Sequence, residues 1–127
     1  MKRIFALITV LLLVGCSGGD DNAALSYTQI TVDEAVEMMS QESGYIILDV
    51  RTAAEYAEGH IPNAINYANE DIGESAEEIL PDKEQLILVY CRSGRRSKEA
   101  SQKLVDLGYS NVYEFGGIID WTGKIEK

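Results

Sequence analysis

Basic residues are scarce in this chain of 127 residues: 11 Lys and Arg stand against 21 Asp and Glu, a formal net charge of −10. Nucleic-acid binding needs a broad basic surface to neutralise phosphates, so this balance argues against that class of partner. The same deficit argues against a polybasic grip on anionic lipid. Histidine occurs once, at His60, and cysteine twice, at Cys16 and Cys91. One thiol and one imidazole in the folded part do not make a set of metal ligands, and no cofactor motif is present, so none is expected. The only long apolar run, Ile4 to Val14, has eleven residues, too short for the roughly 20 that a spanning helix requires.

That run follows Lys2 and Arg3 and has the composition of a signal-peptide h-region, which is excluded from fold reasoning. Leu13-Val14-Gly15-Cys16 then resembles a bacterial lipobox. The resemblance implies cleavage before Cys16, lipid attachment to Cys16 (palmitate included), and an extracytoplasmic, membrane-anchored protein. Ser17 carries no evident inner-membrane retention signal, which points to the outer membrane and periplasm where a cell has them. The expected organisation is a signal peptide over 1–15, a lipidated cysteine and tether over 16–24, and one domain over 25–127. The tether, Ser17-Gly18-Gly19-Asp20-Asp21-Asn22, is small and polar. Removal of residues 1–15 takes away two basic and no acidic residues, leaving 9 basic against 21 acidic. Cys91 is then left without an intrachain disulfide partner, and a lone thiol in an exported protein suggests intermolecular pairing or reactivity.

Within the domain, strands and helices alternate. Thr31 and Glu34 fit a capping box, opening a helix through about Ser40 with Val32, Ala35, Val36 and Met39 on one face. Tyr45 to Val50 is an apolar run with the character of a strand buried on both faces. Ala53 to Glu58 is a short helix closed by Gly59, and Ile61 to Asn66 reads as a turn into a short strand. Asp71 to Leu80 is expected to be helical, stopped by Pro81. Leu86 to Tyr90 has the strongest strand character of the chain, followed by a loop and a helix from Ser97 to Leu107. Val112 to Phe115 is a further strand, broken by Gly116-Gly117, and Ile118 to Ile125 is expected to form a last helix containing Trp121. The alternation predicts an α/β fold with a mostly parallel central sheet and helices on both faces. Sites in such folds form at the carboxyl ends of strands, which is where Cys91 lies.

Four of the nine basic residues beyond position 15 lie between positions 92 and 98: Arg92, Arg95, Arg96 and Lys98. An acidic chain has gathered its positive charge around one cysteine. A loop entering a helix also turns backbone N–H groups toward the thiol. A free thiol ionises near pKa ~8.5, and the thiolate is the nucleophile. A helix N-terminus contributes about 0.3–1 kcal/mol, enough to lower that value by less than one unit in the ordinary case, so neighbouring arginines matter. A buried structural thiol would be flanked by apolar residues on both sides; Cys91 is followed by Arg-Ser-Gly-Arg-Arg-Ser.

Cys91-Arg92-Ser93-Gly94-Arg95-Arg96-Ser97 resembles the active-site loop of rhodanese-type sulfurtransferases. Leu48-Asp49-Val50-Arg51, Glu55-Tyr56 and Gly59-His60-Ile61-Pro62-Asn63-Ala64-Ile65-Asn66 are similar to the family's first signature. Gly116-Gly117 with Trp121 resembles its closing segment, so the likeness runs over about 27–122. Asn63 departs from the family, which more often has glycine there. The resemblance implies a rhodanese-like sheet of about five strands and a Cys91 thiolate that takes sulfane sulfur from an anionic donor such as thiosulfate. The sulfur passes to a thiophilic acceptor, cyanide or a thiol. It further implies a cradle of loop residues, Arg92, Ser93, Gly94, Arg95 and Arg96, with Arg92 and Arg96 holding the donor and Arg95 turned toward solvent. Asp49, Arg51 and Glu55 are expected in supporting salt bridges, His60 in a turn, and Trp121 in core packing. A rhodanese-fold phosphatase or arsenate reductase is the nearest alternative. Tyrosine-phosphatase loops place Arg sixth after the cysteine, whereas Arg96 is fifth and Ser97 sixth here, and the loop is one residue short of the rhodanese-fold phosphatases. A non-catalytic binding module of the same fold and a single-thiol redox protein are the remaining alternatives.

Overall fold

A computed structural model of the chain describes residues 25–127, and the expected signal peptide and lipidated Cys16 lie outside the described residues. Five parallel strands form one sheet: β1 (Thr28–Gln29), β2 (Ile46–Asp49), β3 (Ile65–Asn66), β4 (Ile87–Cys91) and β5 (Val112–Gly117). Their order across the sheet is β1-β5-β4-β2-β3. The helices are α1 (Val32–Gln41), α2 (Ala53–Glu58), α3 (Ala76–Ile79) and α4 (Arg95–Asp106). The parallel α/β architecture expected from the alternation is present.

All five residues of β4 are buried, as a central strand covered on both faces requires. Successive side chains point to opposite faces. Ile87, Val89 and Cys91 therefore join Leu48, Val50, Leu80, Ala100, Leu104 and Tyr109 in one cluster under α3 and α4. Leu88 and Tyr90 join Ala35, Ile47, Ile61 and Phe115 in the other, under α1. Each fully buried Leu, Ile or Val contributes about 1.5–3 kcal/mol relative to exposure. Cys91 belongs to the α4 side of the sheet, which decides what its thiol meets.

Two capping boxes fix the helices that follow loops. Thr31 Oγ accepts the Glu34 N–H while Glu34 Oε1 accepts the Thr31 N–H. Thr52 and Glu55 repeat the arrangement at α2. Asn63 has φ 71°, the one left-handed non-glycine among the described residues. Asparagine tolerates this conformation better than most side chains, so the departure from glycine keeps the turn.

Four expectations need correction. The helix expected over 71–80 is a 3-10 turn, Asn69–Asp71, followed by the single-turn α3, because Gly73 interrupts the segment and Ser75 makes no side-chain cap. Helix α4 begins two residues earlier than expected, at Arg95, because Gly94 is its N-cap with φ 117°, a conformation open to glycine. Gly116 and Gly117 do not end β5 but belong to it, beyond a bulge: Val89 pairs with Glu114 and Cys91 with Gly117. The last segment is a 3-10 turn, Ile118–Asp120, after which the chain forms an antiparallel bridge between Glu126 and His60 in place of a helix.

Candidate active site

Cys91 is the last residue of β4, and its thiol is almost wholly enclosed, with 1% of the residue exposed. The left-handed Gly94 turns its N–H onto Cys91 Sγ at 3.0 Å. Ser97 Oγ, in the first turn of α4, lies 3.5 Å from the same sulfur. Burial pushes the thiol pKa up. The Ser97 hydroxyl and the backbone N–H groups of Ser97, Gly94 and Ser93 act against burial and together outweigh it, leaving the thiol below its ordinary value. The floor under this loop is Gly117. A Cβ there would stand 1.9 Å from the Arg92 carbonyl oxygen, so only glycine lets β5 pass so close behind the loop.

The arginines take three different positions. Arg96 is gripped by Glu55 of α2, Nη1 to Oε1 at 2.8 Å and Nη2 to Oε2 at 3.0 Å, a two-pronged pair. Hydrogen bonding from Arg96 is the largest influence on Glu55 and holds its carboxyl at about 2, against an ordinary 4.5. Arg95, one of the residues expected to cradle the donor, points outward along α4 to Glu99 at 3.1 Å and is 75% exposed. Arg92 is exposed and its guanidinium has no protein partner among the described residues, which leaves its donors to solvent or a ligand.

The chain is matched by the family model of the Rhodanese-like domain over residues 31–124. It belongs to the rhodanese family. Thiosulfate sulfurtransferase PspE of Escherichia coli (strain K12) is 36% identical to it over 73 residues, covering 58% of this chain and 70% of the relative. Thiosulfate sulfurtransferase GlpE of Coxiella burnetii is 37% identical over 98 residues, covering 76% of this chain and 89% of the relative. A solved structure described as a rhodanese with anions from E. coli superposes with TM-score 0.61 at 32% identity, over 65% of this chain and 98% of that one.

The residues expected to support the site stand next to the loop and do not bond to the sulfur. Arg51 Nη2 binds Asp49 Oδ2 at 2.6 Å and the Gly59 carbonyl at 2.7 Å, and the Tyr90 hydroxyl donates to Asp49 at 2.6 Å. Burial works against the Arg51 charge, and the Asp49 carboxylate more than restores it. Burial, together with the bond to Asp49, pushes the Tyr90 phenol up, so it remains a donor. The network ties the end of β2 to β4 and to the turn that ends α2, the helix from which Glu55 reaches Arg96. His60 stacks on Tyr56 with ring centroids 3.8 Å apart, and its Nδ1 lies 3.0 Å from the Tyr56 carbonyl; its partners are those of a turn. Trp121 packs half-buried against the α1-side cluster and donates to the Lys124 carbonyl at 2.9 Å.

Sequence reasoning passed over one buried ionisable group. Glu114, 1% exposed in β5, accepts from Ser97 Oγ at 2.5 Å and from the Gly116 N–H at 2.8 Å. The signal was there: an acidic residue in the middle of the apolar run Val112-Tyr113-Glu114-Phe115. Among the described residues no group of three or more His, Cys, Asp or Glu side chains is placed to hold a metal ion.

Proposed function

We propose that this member of the rhodanese family is a sulfurtransferase that carries sulfane sulfur on Cys91. The observation that carries the reading is the cradle around Sγ: a buried thiol, lowered in pKa, with the Gly94 N–H aimed at it at 3.0 Å. The names of the two relatives, both thiosulfate sulfurtransferases, support the reaction class. In the first half-reaction the Cys91 thiolate attacks the outer sulfur of a donor such as thiosulfate. A new S–S bond forms, the old one breaks, and sulfite leaves with the bonding pair, so the persulfide carries the negative charge. In the second, a thiophilic acceptor (cyanide or a thiol) attacks the outer sulfur and the Cys91 thiolate returns. Such two-step transfer gives ping-pong kinetics. Donors fixed before the reaction stabilise the developing charge most effectively, and the loop N–H groups are fixed by Gly94 and by β5 beneath.

Arg92 is the cation that first meets an anionic donor. Arg96, oriented by Glu55, forms the other wall. Purified protein should turn over thiosulfate and cyanide with parallel-line kinetics, and Cys91→Ser should abolish turnover. Turnover by the serine variant at the wild-type rate would sink the assignment. For the N-terminal segment we propose lipid attachment at Cys16 and an extracytoplasmic location, on the strength of Leu13-Val14-Gly15-Cys16 alone. Labelling of cells with a palmitate analogue should mark the wild-type protein and not Cys16→Ala; equal labelling of both would refute it.

A further inference from the structure

A cavity of about 710 Å³ opens at the carboxyl ends of β2 and β3. Parallel strands share that end, so it is also the end at which β4 carries Cys91. Strand β2 pairs with β4 up to Asp49 and Tyr90, and the Val50 N–H still donates to the Tyr90 carbonyl at 3.0 Å. Neighbouring strands lie about 4.8 Å apart, so the chain that leaves β2 for the near wall, Thr52 and Ala53, sets out one strand spacing from Cys91. Tyr67, which belongs to the same core cluster as Cys91, puts the cavity on the α4 side of the sheet with the thiol. Sites for organic molecules usually measure about 300–1,000 Å³; a small inorganic anion fills far less.

The cavity is acidic where the thiol loop is basic. Glu70 and Asp71 line it; both are exposed, and neither enters an ion pair among the described residues. Ala53, Ala68 and Ile79 supply apolar wall. The 3-10 turn that carries both carboxylates is fixed by Asn69, 7% exposed. Its N–H donates to the Val50 carbonyl at 2.9 Å, its Nδ2 to Glu99 Oε1 at 3.0 Å, and its carbonyl accepts from Lys103 Nζ at 2.7 Å. Asn69 Oδ1 is buried without a partner among the described residues, a state that costs free energy until a donor meets it. Arg96 links the cavity to the loop: its pKa is raised by the bond to Glu55 and, to a smaller degree, by the charge of Glu70. Glu55 already offsets the Arg96 charge, so Glu70 and Asp71 leave a surplus of negative charge. Such a wall repels a dianionic donor and draws in a cation.

Taking Cys91 as the sulfur carrier, we propose that this cavity receives the acceptor of the sulfur, and that the acceptor is a thiol carrying an ammonium group. The two half-reactions then use two neighbourhoods of one sulfur. Arg92 meets the anionic donor, while Glu70 and Asp71 hold the ammonium of the acceptor and the apolar wall takes its carbon skeleton. The acceptor thiolate attacks the outer sulfur of the Cys91 persulfide. One S–S bond forms between acceptor and outer sulfur, the bond to Sγ breaks, and Cys91 keeps the electron pair as a thiolate. The acceptor departs as a persulfide anion, with no oxidant or reductant consumed.

Cysteamine, mercaptoethanol and mercaptopropionate share one skeleton and end in a cation, a neutral group and an anion. Full-length protein is loaded with thiosulfate, freed of excess donor, and discharged by each thiol. Intrinsic reactivity differs among the three, so the readout is how the ratios of their kcat/KM values change between wild type and the Glu70→Gln/Asp71→Asn double variant. Both positions are exposed, where such changes seldom unfold a protein. Unit charges about 4 Å apart in water shift an equilibrium by about fivefold. The cysteamine-to-mercaptoethanol ratio should fall by about that factor in the variant, and the mercaptopropionate-to-mercaptoethanol ratio should rise. Ratios equal in wild type and variant would overturn the proposal while leaving sulfur transfer untouched. Wild-type protein that takes no sulfur from thiosulfate would sink the reading of Cys91 as carrier, and this proposal with it, before any acceptor is added. Alkylation of unloaded Cys91 by bromoethylamine, a cation, against neutral iodoacetamide reads the cavity without any sulfur donor. That ratio should also fall in the variant, and an unchanged one would overturn the assignment of the cavity to a cation.

Discussion

Glutamine in place of Glu55 removes one charge and little else. The amide has the same length, its oxygen can still accept the Thr52 N–H, and glutamine serves as well as glutamate at this position of a capping box. What is lost is the charge that Arg96 sees at 2.8 and 3.0 Å, together with one of the two oxygens that accept from it. Hydrogen bonding from Arg96 is the main reason that the folded protein holds Glu55 at about 2 when its ordinary value is 4.5. At roughly 1.4 kcal/mol for each unit of pKa, the ceiling on the stabilisation is about 3.5 kcal/mol. The pair is partly open to solvent, with 23% of the Arg96 and 28% of the Glu55 side chain exposed. Screening brings the expected loss to about 1–2 kcal/mol. The sign follows from linkage: a carboxyl depressed by folding stabilises the protein above its unfolded value and loses that stabilisation as pH falls through its folded value. The stability gap between wild type and Glu55→Gln should be full at neutral pH, shrink between 4.5 and about 2, and close below. Urea denaturation followed by the fluorescence of the single tryptophan, Trp121, at a series of pH values measures it directly. A gap that stays constant across this range would refute the reasoning, since the loss would then owe nothing to the carboxylate charge.

Further outcomes follow from the same structure. Gly117→Ala puts a methyl 1.9 Å from the Arg92 carbonyl; overpacking usually costs about 1–3 kcal/mol, and here backbone must move, so thermal melting should show at least that loss and Cys91 alkylation should slow. Asp49→Ala leaves the Arg51 guanidinium buried without its partner, a loss of about 3–5 kcal/mol measurable by denaturation. Arg92→Ala should raise the KM for thiosulfate with stability within about 0.5 kcal/mol of wild type, as for an exposed residue without partners, whereas Arg95→Ala should leave both nearly unchanged.

Much of the framework was legible because it is local. The five apolar residues Leu86 to Tyr90 have the strongest strand character of the chain and the strand is there, over Ile87–Cys91, and Thr31 with Glu34 marks the start of the helix that follows. The loop after Cys91 stood out by its charge, four of the nine basic residues beyond position 15 lying between 92 and 98. What was not legible depends on partners distant in sequence. Strand β1 is two residues, Thr28 and Gln29, and exists only because β5 pairs with them. Gly116 and Gly117 look like a strand terminus in isolation, but the close passage of the Arg92 backbone makes glycine a requirement at 117, inside β5. Glu55 holds Arg96 from 41 residues away, and Glu114 meets Ser97 across 17, so neither role was written in the residues beside it. The short α3 failed for a simpler reason: helix-compatible residues around Gly73 lacked both a cap and an apolar stripe long enough to hold more than one turn.

Intact mass spectrometry after incubation with thiosulfate tests the central claim most directly. The wild-type protein should gain the mass of one sulfur atom, lose it again on addition of cyanide, and show neither change when Cys91 is replaced by serine. An unchanged wild-type mass, or the same gain on Cys91→Ser, would contradict the account of Cys91 as the residue that carries the sulfur.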